Sequence, residues 1–489
     1  PPAAAACPGL PSWHLHLAGL LAAGLVVPLS APKAVLAFEM RRLPPPGGRR
    51  ALAELEVLPA AEHLAAHGVI YWWSCALTPA PHAPTLDTGP GANARGARDH
   101  WRQGLFLLPE AAPLRPGARL WACHDDDSLW FRLAPESAAS PGPAAGPAPE
   151  AVPICTCRAH SLLGRIRLLQ LADERRTAAL ASSVEDALAC AGPEALVVDL
   201  SDGPLLTVLA ARAGASRVLC LEAAGPSFVR LSRECIASSL SAEQRRAVQV
   251  APAGEPEAGQ PGAKRRRSGA GAAGALLLEP AWAWLQNLWA AHHLAQARQL
   301  LRHARARGIA TDATRTVPAG AAVFAALLEC EALHARRQPV SSVLGIRVDS
   351  ELLVRSEPCV VSVPLWMHSG CRLLSEPRQL AAVSLADLAG GLACAGRLEA
   401  SAGGVAHGVL LYLEWDLGNG RRITGLQRSD DGGLAPAPSE ALGVHFLGRD
   451  GLPVTAKDSV SVTLRASLDD GRTWELQASH MSPPPPPQK

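Results

Sequence analysis

The chain has 489 residues, 48% of them apolar, which allows two to four domains at about 100–200 residues each. A net charge of +2 with 18% charged residues gives no global field toward nucleic acid or a membrane surface. The 12 cysteines are scattered and no secretory signal precedes them, which points to a reducing compartment with mostly free thiols.

In chain order, the most apolar N-terminal run is Leu15 to Val27. It is too short to span a bilayer and a poor signal peptide, so it reads as a buried core element. Residues 1–134 then alternate strand-type runs with Pro, Gly and Asp turns, a small β domain. Residues 135–150 are an Ala/Pro/Gly-rich linker. Within 151–370 the pattern changes to strand Glu194–Leu200, helix Leu205–Ala213, strand Ser216–Glu222, helix Ser227–Leu240, strand Ala275–Glu279 and a helical stretch Ala283–Arg307. Such alternation predicts a parallel, doubly wound sheet. Residues 251–274 are Gly/Ala-rich around Lys264–Arg267 and read as a disordered insertion. Those four cations fit either a nuclear import signal or a solvated loop. Residues 371–480 are β-type again, and 481–489 form a proline-rich tail expected to be disordered.

The two β regions repeat each other. HGVIYWWSCAL from His67 answers HGVLLYLEWDL from His407. LSAP at Leu29–Pro32 answers LSEP at Leu374–Pro377. GLFLLPEAAPLRPGARL from Gly104 answers GVHFLGRDGLPVTAKDSV from Gly443, and DDSLWFRL from Asp126 answers DDGRTWELQ from Asp469. These matches run in one order, so the expected class is α/β plus β: one Rossmann-like domain flanked by two duplicated small β-barrels. Duplication of an α/β–β unit, with a chain that starts at Pro1 and not Met, carries the expectation that a first α/β half precedes Pro1.

Three motifs carry chemistry. Leu196 to Glu222 has an acid closing each of two strands, Asp199 and Glu222, with Gly203 in the intervening loop. In nucleoside-cofactor sites a glycine turn admits the cofactor against the backbone and the second acid takes the ribose hydroxyls. The loop holds one glycine, and Pro204 fixes φ and removes a donor, so a retained fold with a dead pocket stands beside cofactor binding. Cys155, Cys157 and His160, in CTCRAH, offer three ligands for a structural zinc, with Cys371 as the candidate fourth. Free buried thiols are the alternative. The third motif is RDHWRQGLFLLP, from Arg98 to Pro109.

That last segment, with Leu114 to Phe131 after it, resembles the His-Trp loop region of the β-barrel in protein arginine N-methyltransferases. LLLEPAWAWLQNLW, from Leu276, sits where that family carries a loop with two glutamates. The whole chain resembles the C-terminal two-thirds of a tandem-domain, monomethylating (type III) member. The resemblance implies methyl transfer from S-adenosylmethionine to arginine ω-nitrogens of histones and Arg/Gly-rich proteins. It implies His100 and Trp101 as a wall of the arginine pocket, and a CxCxxH zinc site at the junction. It also implies a pseudo-dimer between the two halves, no membrane or direct nucleic-acid partner, and cytoplasmic and nuclear residence. This sequence departs from the family at Glu279, the one glutamate of its loop, since Leu288 holds the second place. Glu279 is therefore read either as a weakened arginine clamp or as a structural acid. The alternative for the whole protein is a catalytically silent pseudo-methyltransferase scaffold.

Overall fold

The computed structural model describes residues 12–15, 17–22, 24, 26–40, 49–59, 64–78, 84–90, 102–124, 129–134, 163, 165–222, 226–252, 272–282, 285, 288–335, 342–343, 345–347, 360–365, 368, 370–387, 390–428, 434–437, 440–448, 450–468 and 474–481. The insertion expected at 251–274 falls mostly outside them, as do the tail and the linker. Two compact units emerge, Pro2–His160 and Ser161–Lys489.

The first unit is built on strands β1 (Arg49–Glu54), β2 (Ala65–Tyr71), β3 (Gln103–Pro113), β4 (Arg119–His124) and β5 (Leu129–Leu133). β1, β4 and β5 form one antiparallel sheet in that order, and β2 pairs with β3 in another. Phe106, Leu120, Ala122, Trp130 and Phe131 make the core between them. The apolar N-terminal run is only partly the core element expected. Leu17 is fully buried at the start of a short helix, but Val27 is 57% exposed.

In the second unit, helices α1 (Arg165–Ala172) and α2 (Glu174–Ala191) lead into β6 (Leu196–Asp199), α3 (Leu205–Arg212), β7 (Arg217–Glu222), α4 (Pro226–Ser239), β8 (Val248–Pro252), β9 (Ala275–Leu277), α5 (Ala290–Ala306) and β10 (Arg315–Val317). The five strands are all parallel, in the order β8-β7-β6-β9-β10. This is the doubly wound sheet expected from the alternation. Its strand order reverses between β6 and β9, which places the crevice for ligands at the carboxyl ends of β6, β7 and β9. The last helix begins at Ala290, later than Ala283, because Leu278–Trp282 run on from β9 as irregular chain.

The β part of this unit starts earlier than Cys371. Strand β11 (Gly320–Glu329) pairs with β12 (Arg378–Ser384) on one side and β14 (Gly408–Gly418) on the other. A single apolar strand cannot be assigned by period to the sheet before it or after it; here antiparallel pairing assigns it to the later one. β14 then pairs with β15 (Leu442–Phe446). β13 (Gly391–Glu399), β16 (Ser459–Ser467) and β17 (Trp474–Met481) form a further antiparallel sheet. One hydrophobic core runs from Leu180 and Val197 through Trp289 to Val409 and Leu476, so the α/β and β parts share their interior.

The repeated segments adopt the same pairings. In the first unit Gly68 faces Leu107 and Tyr71 faces Gly104. In the second, Gly408 faces Phe446 and Leu411 faces Gly443. Ser30 bridges Val57, and Ser375 bridges Ala400. Leu29 O accepts from Leu58 N as Leu374 O accepts from Ser401 N.

The glycines at matched places are there because chain passes close. A Cβ on Gly104 would fall 2.1 Å from Tyr71 Cζ, and one on Gly443 would fall 2.7 Å from Val360 Cγ1 and 3.0 Å from Trp289 Cδ2. Overpacking of this kind costs about 1–3 kcal/mol. Gly443→Ala is expected to lower stability by about that amount. Thermal melts followed by tryptophan fluorescence will show it, since Trp289 lies edge-on to Trp474 at 4.7 Å between centroids.

Candidate active site and its internal partners

Three acids stand at the carboxyl ends of the central strands, each almost fully buried: Asp199, Glu222 and Glu279, at 0%, 1% and 1% exposure. Two of the three close strands of the buried apolar type, and Glu279 follows β9 by two residues, so the sheet itself sets their positions. The structure thus brings together Asp199, Gly203, Glu222 and Glu279.

Each acid is answered from within the chain. Asp199 Oδ1 accepts from Ser201 N at 3.0 Å, and its Oδ2 from Thr207 N at 2.8 Å and Thr207 Oγ1 at 2.7 Å. Asp199 therefore fastens the loop and the first turn of α3. Burial pushes its carboxyl above the ordinary range, against these hydrogen bonds. Gly203 takes φ +82°, which glycine adopts at no steric cost, and this turns its N–H onto Glu222 Oε2 at 3.1 Å. Ser232 Oγ, from α4, donates to the same oxygen at 2.8 Å. The oxygen that would hold a ribose hydroxyl is engaged by the loop expected to admit the cofactor.

Glu279 has cationic partners that the sequence gave no sign of. Arg167 of α1 donates through Nη1 to Oε1 at 2.5 Å and through Nη2 to Oε2 at 2.6 Å. Arg176 of α2 donates through Nη1 to Oε1 at 2.6 Å. Asp173 caps α2 by accepting from Arg176 N at 3.0 Å, which fixes where that arginine starts. Glu279 N donates to Ser201 Oγ at 2.7 Å. Burial alone would raise the Glu279 carboxyl, but the Arg167 and Arg176 charges outweigh it and hold it at about 2. Glu279 is thus buried and paired with two arginines of its own chain. Arg167 and Arg176 look in the sequence like the polar side of two helices, more than 100 residues from their partner.

The segment after Glu279 is rooted in the fold. Trp282 is fully buried and stacks on His293 at 5.9 Å between centroids; Trp289 is 1% exposed and its backbone N–H donates to Ser362 Oγ at 3.1 Å. Leu288 offers no second carboxylate. Asp199 and Glu222 Oε2 both hold hydrogen-bond partners from the same chain.

His100 and Trp101 lie outside the described residues, as do Cys155, Cys157 and His160. Cys371, expected as the fourth zinc ligand, is joined to Cys330 in a disulfide, so its sulfur is not the free thiolate a metal needs. Among the described residues no group of three or more His, Cys, Asp or Glu is placed to hold a metal. The other cysteines described, including Cys123 and Cys220, are free thiols, as expected for most of them. No helix among the described residues is long and apolar enough to cross a membrane.

Two outcomes follow. Removing one partner of a buried pair strands the other charge and costs about 3–5 kcal/mol, so Glu279→Gln is expected to destabilise the second unit by about that much, read from denaturant melts. Glu440 gives a pH test. Burial raises its carboxyl from 4.5 to about 7, with Asp173 adding and Arg176 opposing. A raised value means the stability it contributes is full below 4.5 and lost as pH climbs through about 7. Glu440→Gln should therefore gain on the natural protein between pH 4.5 and about 7 and level off above that, with thermal midpoints taken across that range as the check.

No protein-family model matches the chain. It is 25% identical over 438 residues to protein arginine N-methyltransferase 7 of Drosophila simulans, covering 84% of this chain and 58% of that protein. To the protein of that name from Cricetulus longicaudatus it is 27% identical over 364 residues, covering 72% and 49%. The chain spans about half the length of the relatives it matches. Among solved structures, the Trypanosoma brucei PRMT1 enzyme–prozyme heterotetrameric complex with AdoHcy aligns at TM-score 0.43 and 14% identity, over 65% of this chain and 98% of that one. PRMT6 with SAH aligns at TM-score 0.42 and 19% identity, over 64% and 99%. At those scores the structural likeness carries no argument. The sequence likeness does: the chain resembles protein arginine N-methyltransferase 7 across most of its length.

Proposed function

We propose that this chain serves protein-arginine N-methylation, the transfer of a methyl group from S-adenosylmethionine to an arginine ω-nitrogen, and that its own α/β domain is not the one that performs it. The sequence likeness supports the first statement. The single observation behind the second is that Glu279 and Glu222 are both engaged by groups of the same chain. In this reading the two β domains are copies of one barrel, supported by their shared pairing register. The chemistry belongs to an α/β domain paired with the first copy, where carboxylates would orient a guanidinium and proximity and electrostatics would supply most of the acceleration. The α/β domain of this chain then acts as the partner surface of a pseudo-dimer.

Histones and Arg/Gly-rich proteins as substrates, a monomethyl product, and cytoplasmic and nuclear residence belong to the same proposal and rest on the resemblance alone. A structural zinc on Cys155, Cys157 and His160 belongs to it as well, supported by the spacing of those donors; Cys371 is left out of it because of its bond to Cys330.

The test compares the gene product isolated from its own cells with this chain purified alone, each given labelled S-adenosylmethionine and an Arg/Gly-rich peptide. The isolated protein is expected to yield methylarginine by mass spectrometry, and the chain alone to stay at background. An inactive gene product would sink the enzyme reading, and transfer by the chain alone would sink the silent domain.

A further inference from the structure

Cys330 and Cys371 meet at the end of a short antiparallel ladder. Leu328 pairs with Leu373 and Glu329 with Arg372, so the next residues outward along the two chains are the two cysteines. Contacts other than the sulfur bond hold each side in place. Cys330 N donates to His407 Nδ1 at 3.0 Å, and Cys330 O accepts from His334 N at 3.0 Å. His334 and His407 stack at 4.5 Å between centroids, so both grips on Cys330 come from one packed pair. On the other side Arg372 donates through Nε to Glu329 Oε2 and through Nη2 to Gly403 O at 3.1 Å. Glu329 Oε1 in turn accepts from Val405 N at 2.8 Å. The two sulfurs are thus brought together by a ladder, a histidine pair and an ion pair, none of which needs the covalent bond. The six other cysteines among the described residues, which have no such arrangement printed around them by the fold, are free thiols. Cys330 is 1% exposed, whereas Cys371 is half-buried with the exposed Arg372 side chain next to it, so a small thiol or disulfide meets the pair from the Cys371 side.

We propose that Cys330 and Cys371 form a reversible redox clasp, closed by a small-molecule disulfide such as glutathione disulfide and opened by the corresponding thiol. In closing, the Cys371 thiolate attacks one sulfur of the small disulfide and expels one thiolate, which leaves a mixed disulfide. The Cys330 thiolate, already held alongside, attacks Cys371 Sγ and expels the second. Two protein thiols lose two electrons and become one disulfide. Their two protons go to the departing thiolates, and the small disulfide is reduced to two thiols. Opening is the same exchange in reverse. The bond spans a sequence separation of 41 residues, at the far end of β11, the strand that pairs with both β12 and β14. Closing a loop of that length removes freedom from the unfolded chain and favours the folded second unit. The clasp thereby ties the stability of this unit to the thiol–disulfide balance around it, whichever domain carries methyl transfer.

The chain is equilibrated in glutathione buffers running from strongly reducing to strongly oxidising, starting from both the reduced and the oxidised protein. Samples are quenched in acid, unfolded and alkylated, and peptide mass spectrometry reads the label on Cys330 and Cys371. Both cysteines are expected to lose label together and to appear in one bridged peptide. The ratio of closed to open chain should rise tenfold for each tenfold rise in glutathione disulfide at fixed thiol. Thermal melts should place the closed chain roughly 4–8 °C above the open one. In Cys330→Ser, Cys371 should instead keep a glutathione adduct, and the rise in Tm on oxidation should vanish. No closed form in the most oxidising buffer, a bond that survives the most reducing one, or a bridge from Cys371 to a different cysteine would each overturn the proposal.

Discussion

Two arginines and one carboxylate meet inside the second unit, and the form of the whole candidate site follows from that meeting. Taking a charge out of water carries a desolvation penalty of several kcal/mol, and an ion pair repays it only with good geometry and full hydrogen bonding. Glu279 satisfies both conditions. One oxygen is shared by Arg167 and Arg176, the other is taken by Arg167, and Asp199 and Asp202 lie close to the surplus positive charge. Helices α1 and α2 are thereby tied to the end of β9. Neither arginine can leave Glu279 without stranding a buried charge.

The same logic runs through the neighbouring acids. Glu222 Oε2 receives Gly203 N and Ser232 Oγ, and Asp199 receives Ser201 and Thr207. The loop between β6 and α3 has folded onto the acid it would otherwise present.

What the unit offers instead is rigidity. Trp289 reaches from the end of the Glu279 segment into the β part, where it meets Trp474, Gly443 and Ser362. Asp186 of α2 accepts from Asn419 Nδ2 at 2.6 Å and pairs with Arg421, while Arg298 of α5 donates to Asp387 O at 2.7 Å. A continuous core beneath these contacts makes the α/β and β parts one body.

The sequence by itself determined the parallel sheet, its strand order of types, the two acids at its strand ends and the recurrence of one β pattern. Those features are written in local period and turn chemistry, which neighbouring residues specify among themselves. It also showed, through Leu288 and the lone Gly203, where this chain departs from the residues its resemblance implies. Tertiary structure alone decided that β11 belongs to the later sheet, that Cys371 joins Cys330, and that Arg167 and Arg176 close on Glu279. Each of these is a choice of partner over a long stretch of chain. A polar residue carries no local mark of which distant charge it will face, so only the packing of helix against sheet could make the choice.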